Sequence, residues 1–134
     1  MTEKDGLDED GDAVMKRTTR AEEPLCRHFQ RAAELIGRRW NPQVVRALQG
    51  GPARFGDLRA AIAGVSDALL SDRLKELEAA GIVVRDVTPT TPVRIEYRLS
   101  EQGRDLGSVM DELATWAERW VTVPADGSPA TVRR

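Results

Sequence analysis

The sequence predicts a mainly α-helical fold that carries one small β-hairpin, an α+β domain with little sheet. Three observations predict it. Apolar residues recur at helical spacing before residue 80 and again after residue 100. A period-two alternation of apolar and charged residues, typical of a half-buried strand, occurs in VRIEYRL at 93–99. Glycine, proline and capping residues divide the chain into segments of ordinary helix length.

The first two helices are short and follow each other closely. Leu25, Phe29 and Ile36 recur on one helical face, and a glycine ends that helix. Asn41 is a suitable N-cap for the second helix. Pro42 would occupy its first position, where the missing N–H costs nothing. We therefore expect two helices before the Gly-Gly-Pro stop at 50–52.

The next two helices follow the same logic. A third, short helix is predicted around Phe55 and Ile62. Ser66 is a suitable N-cap for the fourth, and Gly81 follows its end. The apolar stripe that this fourth helix would bury consists of Leu70, Leu74 and Leu77.

A hairpin and one long helix complete the pattern. The first strand begins at Val83, and the proline-bearing segment Thr88–Pro92 should form an exposed, stiff tip. The second strand covers 93–99, and Ser100 caps the last helix. The broad apolar stripe of that helix comprises Leu106, Val109, Met110, Leu113, Trp116, Ala117, Trp120 and Val121.

Short helices followed by a β-hairpin form the winged helix-turn-helix arrangement. The third and fourth helices would be the helix-turn-helix, and the hairpin would be the wing. We expect this domain to span 24–121. Residues 1–23 hold eight acidic and four basic residues without apolar periodicity, which predicts a disordered acidic tail. Residues 122–134 should form a flexible tail.

Composition narrows the class of protein. The net charge is −2, but residues 38–98 hold ten basic and seven acidic residues, a mildly basic middle that is compatible with nucleic acid. One cysteine excludes an internal disulfide framework and favours the reducing cytoplasm. The sequence has neither a signal peptide nor an apolar run long enough for a membrane span, so no membrane partner is expected.

Enzyme chemistry finds no support in the sequence. It contains no metal-ligand spacing, phosphate loop or nucleophile elbow. Cys26 and His28 are two residues apart, so on a helix they point in different directions. We therefore expect a protein that is not an enzyme and needs neither a cofactor nor a metal.

In these features the chain resembles the HxlR-type transcriptional regulators, relatives of the MarR group. The matching segments are Cys26, IGRRW at 36–40, GGPARFGDLRAAI at 50–62, VSDALLSDRLKELEAAGIVVR at 65–85 and PVRIEYRLSEQG at 92–103. One departure is Arg27, where a proline usually follows the cysteine. The resemblance implies a homodimer that binds a two-fold symmetric double-stranded DNA operator, in most cases as a repressor.

The fourth helix would read bases with its leading end. Ala68 and Leu69 can meet thymine methyl groups, Ser71 suits several base edges, and Asp72 can accept from a cytosine amino group. Phosphate contacts would come from arginines on the preceding helix, the helix flank and the wing. The candidate DNA-contacting residues are Arg54, Arg59, Ser66, Ala68, Leu69, Ser71, Asp72, Arg73, Lys75, Arg94 and Arg98. The alternative for each exposed charge is an ordinary solvated surface residue.

The first and last helices should form the dimer interface, since the last helix is too apolar for one small domain to cover. The candidate interface residues are Leu25, Phe29, Ile36, Leu106, Met110, Leu113, Trp116 and Trp120. A small-molecule ligand at that interface, near the two tryptophans, is an alternative means of control. A winged helix used only for protein contacts is a second alternative, but its wing should be uncharged.

Cys26 is a candidate regulatory thiol. The resemblance implies it, because several members of the family respond to oxidants or electrophiles through a cysteine at this N-terminal position. A helix start and the neighbouring Arg27 and His28 would favour the thiolate. The alternative is a small buried side chain under the first helix. As the single cysteine, it would react by alkylation, by a mixed disulfide or by a bridge to Cys26 of a second copy.

Overall fold

The computed structural model describes residues 24–133, and their side chains from residue 27 onward. The predicted disordered tail at 1–23 lies outside the described residues. Contacts divide the chain into two units, 1–38 and 39–134. The first unit contributes helix α1, Pro24–Gly37. In α1 the side chain of Phe29 is 73% exposed, whereas Ile36 is half-buried.

The second unit contains the remaining elements in the predicted order. They are α2 (Asn41–Leu48), α3 (Phe55–Ala61), α4 (Asp67–Ala79), β1 (Val83–Thr88), β2 (Arg94–Leu99), α5 (Glu101–Trp120), β3 (Val121–Thr122) and β4 (Thr131–Val132). Helices α3 and α4 form the helix-turn-helix, and β1 with β2 form the wing, so the predicted winged helix-turn-helix fold is confirmed. The buried hydrophobic residues are Val44, Val45, Leu48, Leu58, Ile62, Val65, Leu70, Leu74, Leu77, Ile82, Val83, Leu99 and Met110.

Two serine caps fix where α4 and α5 begin, as predicted. The backbone N–H of Leu69 donates to Ser66 Oγ at 3.1 Å. The N–H of Gly103 donates to Ser100 Oγ at the same 3.1 Å. The Ser100 hydroxyl also donates to the carbonyl of Gly81 at 2.6 Å, which ties the start of α5 to the turn that follows α4. Gly81 in that turn has a φ of +81°, a left-handed conformation that favours glycine.

The start of α2 differs from the prediction by one residue. Asn41 is not the N-cap; it is the first helical residue and is buried. The N-cap is Trp40, which adopts the left-handed conformation at φ 80° and makes no side-chain cap. Pro42 is tolerated at the second helical position for the same reason as at the first, because the N–H groups of the first turn have no acceptor within the helix.

The wing is an antiparallel hairpin in continuous register from Val83 opposite Leu99 to Thr88 opposite Arg94. Ala53, between α2 and α3, pairs with β2 of the wing. The Ala53 N–H donates to the Tyr97 carbonyl at 2.9 Å, and the Tyr97 N–H donates to the Ala53 carbonyl at 2.7 Å. Only the base of the hairpin reaches the core. Val93, predicted as part of the half-buried strand face, precedes β2 and is exposed.

Helices α2 and α5 are held together by a polar clasp, which consists of Arg46, Gln49, Gly107 and Asp111. Arg46 Nη1 lies 2.9 Å from Asp111 Oδ1, and Gln49 Nε2 donates to the Gly107 carbonyl at 3.2 Å and to the same Asp111 oxygen at 3.1 Å. A Cβ atom on Gly107 would lie only 2.8 Å from Gln49 Nε2. The absence of a side chain at Gly107 therefore leaves room for the Gln49 amide at this contact.

The chain after α5 folds back on the end of that helix. Val121 pairs with Val132 and Thr122 with Thr131 in a short antiparallel ladder. The backbone N–H of Arg133 donates to the Trp120 carbonyl at 2.8 Å. The sequence predicted a flexible tail at 122–134 and did not indicate this pairing. In the connecting turn, the hydroxyl and N–H of Ser128 both bind Asp126, which lowers the pKa of that carboxyl.

Candidate nucleic-acid interface

The outer face of α4, opposite its buried leucines, carries four of the predicted DNA-contacting residues. They are Ala68, Leu69, Asp72 and Lys75, and all four side chains are exposed. In the described part of the chain Asp72 forms no ion pair. Ser66 is exposed as well, but its hydroxyl oxygen is used as the cap of the helix. The outer face thus offers two apolar groups and one free carboxylate near the helix start.

Two more of the predicted DNA-contacting residues, Arg54 and Arg94, lie at the wing. They line one cleft of about 380 Å³. The pairing of Ala53 with β2 brings Arg54 beside the hairpin. Three wing threonines, at 88, 90 and 91, line the same cleft. Neither arginine forms an ion pair with another described residue. This wing cleft is therefore cationic, and its guanidinium groups remain able to bind an anion.

Two other predicted arginines are partly neutralised. Arg59 Nε lies 2.8 Å from Asp67 Oδ1, a contact that joins α3 to the first turn of α4. Arg98 Nε lies 2.8 Å from Asp86 Oδ2 across the wing. Both pairs are about half exposed, so they are screened by solvent and each contributes about 0–1 kcal/mol to stability. The paired carboxylates therefore reduce the positive charge that Arg59 and Arg98 offer to a ligand, compared with Arg54 and Arg94 of the wing cleft.

Arg73 is not available as a flank contact, which corrects the prediction. Its side chain is only 12% exposed. Nε donates to the carbonyl of Arg39 at 2.9 Å, and Nη1 lies 3.5 Å from Glu76. The guanidinium group is thus hydrogen-bonded to a backbone carbonyl just before α2. Its partner lies 34 residues away in the sequence, so helical spacing could not reveal this bond.

The structure adds one cation that the sequence reasoning missed. Ser71 and Lys75 line a cleft of about 330 Å³ between α4 and the wing, and Arg85 and Tyr97 line its other side. Arg85 is directly opposite Tyr97 in the hairpin register, so both side chains lie on the sheet face toward α4. Period-two alternation from the buried Val83 could have placed Arg85 on this face.

Neither a metal site nor a membrane span is found in the part of the chain that the structure describes. Residues 24–133 contain no group of three or more side chains that could hold a metal ion. Among the same residues, no helix has the length and apolarity that crossing a bilayer requires. The side chain of Cys26, the predicted thiol, lies outside the described side chains.

Comparison with known proteins places these features in a family. The model of the HxlR-like helix-turn-helix family matches residues 35–124. The uncharacterized HTH-type transcriptional regulator YvaP of Bacillus subtilis is 42% identical over 97 residues, which cover 72% of this chain and 90% of YvaP. The HTH-type transcriptional regulator YodB of the same species is 40% identical over 96 residues, which cover 72% of this chain and 86% of YodB.

A solved structure agrees with the sequence match. The crystal structure of diamide-treated YodB from B. subtilis superposes with a TM-score of 0.64 at 39% identity, covering 72% of this chain and 96% of the YodB chain. Its match extends over most of the residues that the structure describes, and the relatives are transcriptional regulators rather than enzymes. The protein is a helix-turn-helix transcriptional regulator, and it belongs to the HxlR-like family.

Proposed function

We propose that the protein is a homodimeric repressor that binds a specific double-stranded DNA operator through α4 and the wing. The observation that carries this proposal is the combination of an exposed leading end of α4 with the unpaired arginines of the wing cleft. A helix that enters the major groove needs exposed side chains near its start. A wing beside it needs cations for the phosphate backbone.

The affinity should come mainly from the wing cleft. Arg54 and Arg94 make no ion pair with another described residue, so a phosphate would meet them without first displacing a carboxylate. Lys75 and Arg85 lie at the second cleft and would add phosphate contacts on the other side of the wing. Because phosphates repeat along every duplex, these contacts do not distinguish one sequence from another.

The specificity should come from the outer face of α4. Ala68 and Leu69 present methyl groups that suit thymine, and Asp72 can accept a hydrogen bond from a cytosine amino group. The carboxylate would also repel the phosphate backbone, so it disfavours every docking in which it is not opposite a donor. An acid at the start of the reading helix therefore makes binding more selective at some expense of affinity.

The variant Arg94→Gln tests the DNA proposal most directly, because it retains a polar side chain of similar length. Binding to operator and to random DNA should weaken alike, and the slope of log K against log salt should become shallower by about one unit. Fluorescence anisotropy over a salt titration measures both quantities, with DNA from the intergenic region next to the gene. Arg104→Gln, on the first turn of α5, is the matched control. Unchanged affinity and slope for Arg94→Gln would contradict the proposed role of the wing.

Asp72→Asn tests base reading separately. The variant should relax the preference at one base pair of each half-site, where a single lost contact is worth about 1–3 kcal/mol. A panel of operators with single substitutions measures the preference. Equal discrimination by variant and wild type at every position would remove Asp72 from the reading surface. If wild type binds neither operator nor random DNA, the winged helix-turn-helix domain is a protein-interaction module instead.

The apolar face of α5 supports a dimer. Val109, Leu113 and Trp116 are about half exposed on one side of the helix, and Phe29 of α1 is more exposed still. A second copy is the partner that symmetry favours, since a two-fold axis covers the same face on both chains. It would place two α4 helices about 34–36 Å apart, in successive major grooves.

Leu113→Asp tests the dimer. A carboxylate on this face would be buried without a partner if two copies meet there, so the variant should sediment as a monomer at micromolar concentration. Circular dichroism shows whether the variant remains folded. Ser108→Asp, which adds the same charge at an exposed polar position of α5, is the control. A wild-type protein that is monomeric at the same concentration would contradict the dimer.

We also propose that Cys26 is a regulatory thiol. The support is the similarity to YodB, whose solved forms include a diamide-treated one. Cys26 is the only cysteine, so the variant Cys26→Ser is free of thiols and gives a clean comparison. Diamide or a quinone should weaken operator binding by wild type and leave the variant unaffected. Wild type that retains its affinity after mass spectrometry shows modified Cys26 would refute the switch.

A further inference from the structure

A cleft of about 450 Å³ lies at the base of the wing, on the side away from α4, and the proposed DNA contacts leave most of it unexplained. The end of α2, the turn before α3, the end of β2 and the first turn of α5 surround it. The exposed Pro52 and the nearly buried Leu48 and Leu99 are the apolar residues that line it, its apolar floor, and Arg98 and Arg104 line it as well. We call it the hairpin-base cleft. Its volume lies within the range of small-molecule sites.

The backbone around this cleft has few free donors. The N–H of Gly51 donates to the Leu48 carbonyl at 3.1 Å, and the N–H of Gly103 donates to Ser100 Oγ at 3.1 Å. Pro52 has no N–H. A phosphate cradle is made of several convergent backbone N–H groups, and these are already used. Recognition of an anion here would therefore depend on the two arginine side chains.

The two guanidinium groups retain donors for a ligand. Arg98 uses Nε for Asp86, which leaves its Nη atoms. Arg104 makes one long contact, 3.4 Å from Nη1 to the Leu99 carbonyl. No carboxylate is among the residues that line the cleft. Guanidinium forks bind carboxylates through paired N–H···O bonds, and the apolar floor would receive a hydrophobic body.

From this arrangement we infer that the hairpin-base cleft binds an amphipathic anion, a planar apolar body that carries one carboxylate. The floor supplies the apolar contact area, and Arg104 with Arg98 supplies the charge-assisted hydrogen bonds. The inference concerns a ligand site within one copy of the second unit. It does not depend on DNA binding or on a dimer, and its test uses neither.

The test titrates the full-length protein with 2-naphthoate and follows backbone amide resonances by NMR. Saturable shifts are expected at Gly51, Leu99 and Arg104. The neutral analogue 2-naphthalenemethanol and inorganic phosphate should each bind at least about tenfold more weakly, because the first lacks the charge and the second lacks the apolar body. Arg104→Gln should weaken 2-naphthoate by about tenfold or more. The control Arg31→Gln, an exposed arginine of α1 outside the cleft, should bind like wild type.

Three results would overturn the inference. The first is a titration that does not saturate at millimolar 2-naphthoate or shifts resonances only outside the cleft. The second is equal binding of the carboxylate by Arg104→Gln and wild type. The third is binding of phosphate or of the neutral alcohol as tight as that of 2-naphthoate. Both variants change exposed side chains, and their amide spectra report whether the fold is intact.

Discussion

Helices α4 and α5 begin with the same kind of serine cap, but they differ in how much of their apolar surface is buried. Each starts at a serine whose Oγ accepts a backbone N–H at 3.1 Å. In α4 Leu70, Leu74 and Leu77 are all buried, and its one exposed large apolar side chain is Leu69, at 37%. In α5 Met110 is buried at 3% exposure, but Leu113 and Trp116 remain 46% and 48% exposed.

The two helices differ in the width of their apolar stripes. A narrow stripe of leucines is fully covered by the rest of the second unit, whereas the stripe of α5 is broader than the surface available to it. Met110, predicted for the dimer interface, lies on the covered edge of that stripe, which corrects its assignment. The apolar stripe of α4 is thus covered within the second unit, whereas α5 retains exposed apolar surface.

The largest expected effect is the difference in unfolding free energy between two leucine truncations, one in each apolar stripe. Leu74→Ala in α4 should lower the free energy of unfolding by about 2–5 kcal/mol, because it leaves a cavity in the core. Leu113→Ala in α5 removes a half-exposed side chain and should cost clearly less. Urea denaturation of both variants at the same low protein concentration measures the difference. Equal losses would mean that Leu113 is as much a core residue as Leu74.

The two serine caps should differ by a smaller amount. Ser66→Ala removes one exposed cap and should cost about 1 kcal/mol. Ser100→Ala should cost more, because its hydroxyl also donates to the partly buried Gly81 carbonyl, which would keep only the bond from Gln102 Nε2. Thermal unfolding of the two variants measures the order. Ser66→Ala as the more destabilising change would contradict the role assigned to the Gly81 bond.

The smallest effect concerns the ion pair between α3 and the first turn of α4; the first turn of α5 has no described ion pair. A double-mutant cycle on Arg59 and Asp67 should give a coupling energy of about 0.2–1 kcal/mol, since both groups are largely exposed. The coupling should decrease with added salt. A coupling that persists in molar salt would show that the pair is more than a surface contact.

Local signals made the fold predictable. The serine caps, the leucine stripe of α4 and the glycine after it are all encoded within a few residues, and each was confirmed. The start of α2 was wrong by one residue because sequence alone does not show that Trp40 takes a positive φ. Capping preferences describe side-chain hydrogen bonds, and this N-cap makes none.

The candidate site was less predictable, because partners far apart in sequence decide which charges remain free. Arg54, Arg73 and Arg98 all read as exposed cations in the sequence. The structure engages Arg73 with a distant carbonyl and pairs Arg98 with Asp86, but leaves Arg54 without a described ion pair. The alternation of the hairpin could have suggested the pairing across the wing. No spacing rule could have suggested the carbonyl of Arg39.

The clasp between α2 and α5 should respond to salt in two ways. The pair of Arg46 and Asp111 joins the helices through side chains that are 49% and 60% exposed, so added salt should weaken it. The bond from Gln49 Nε2 to the Gly107 carbonyl carries no net charge and should not respond to salt in this way. At high salt the polar contact between the end of α2 and α5 would therefore depend mainly on this neutral bond.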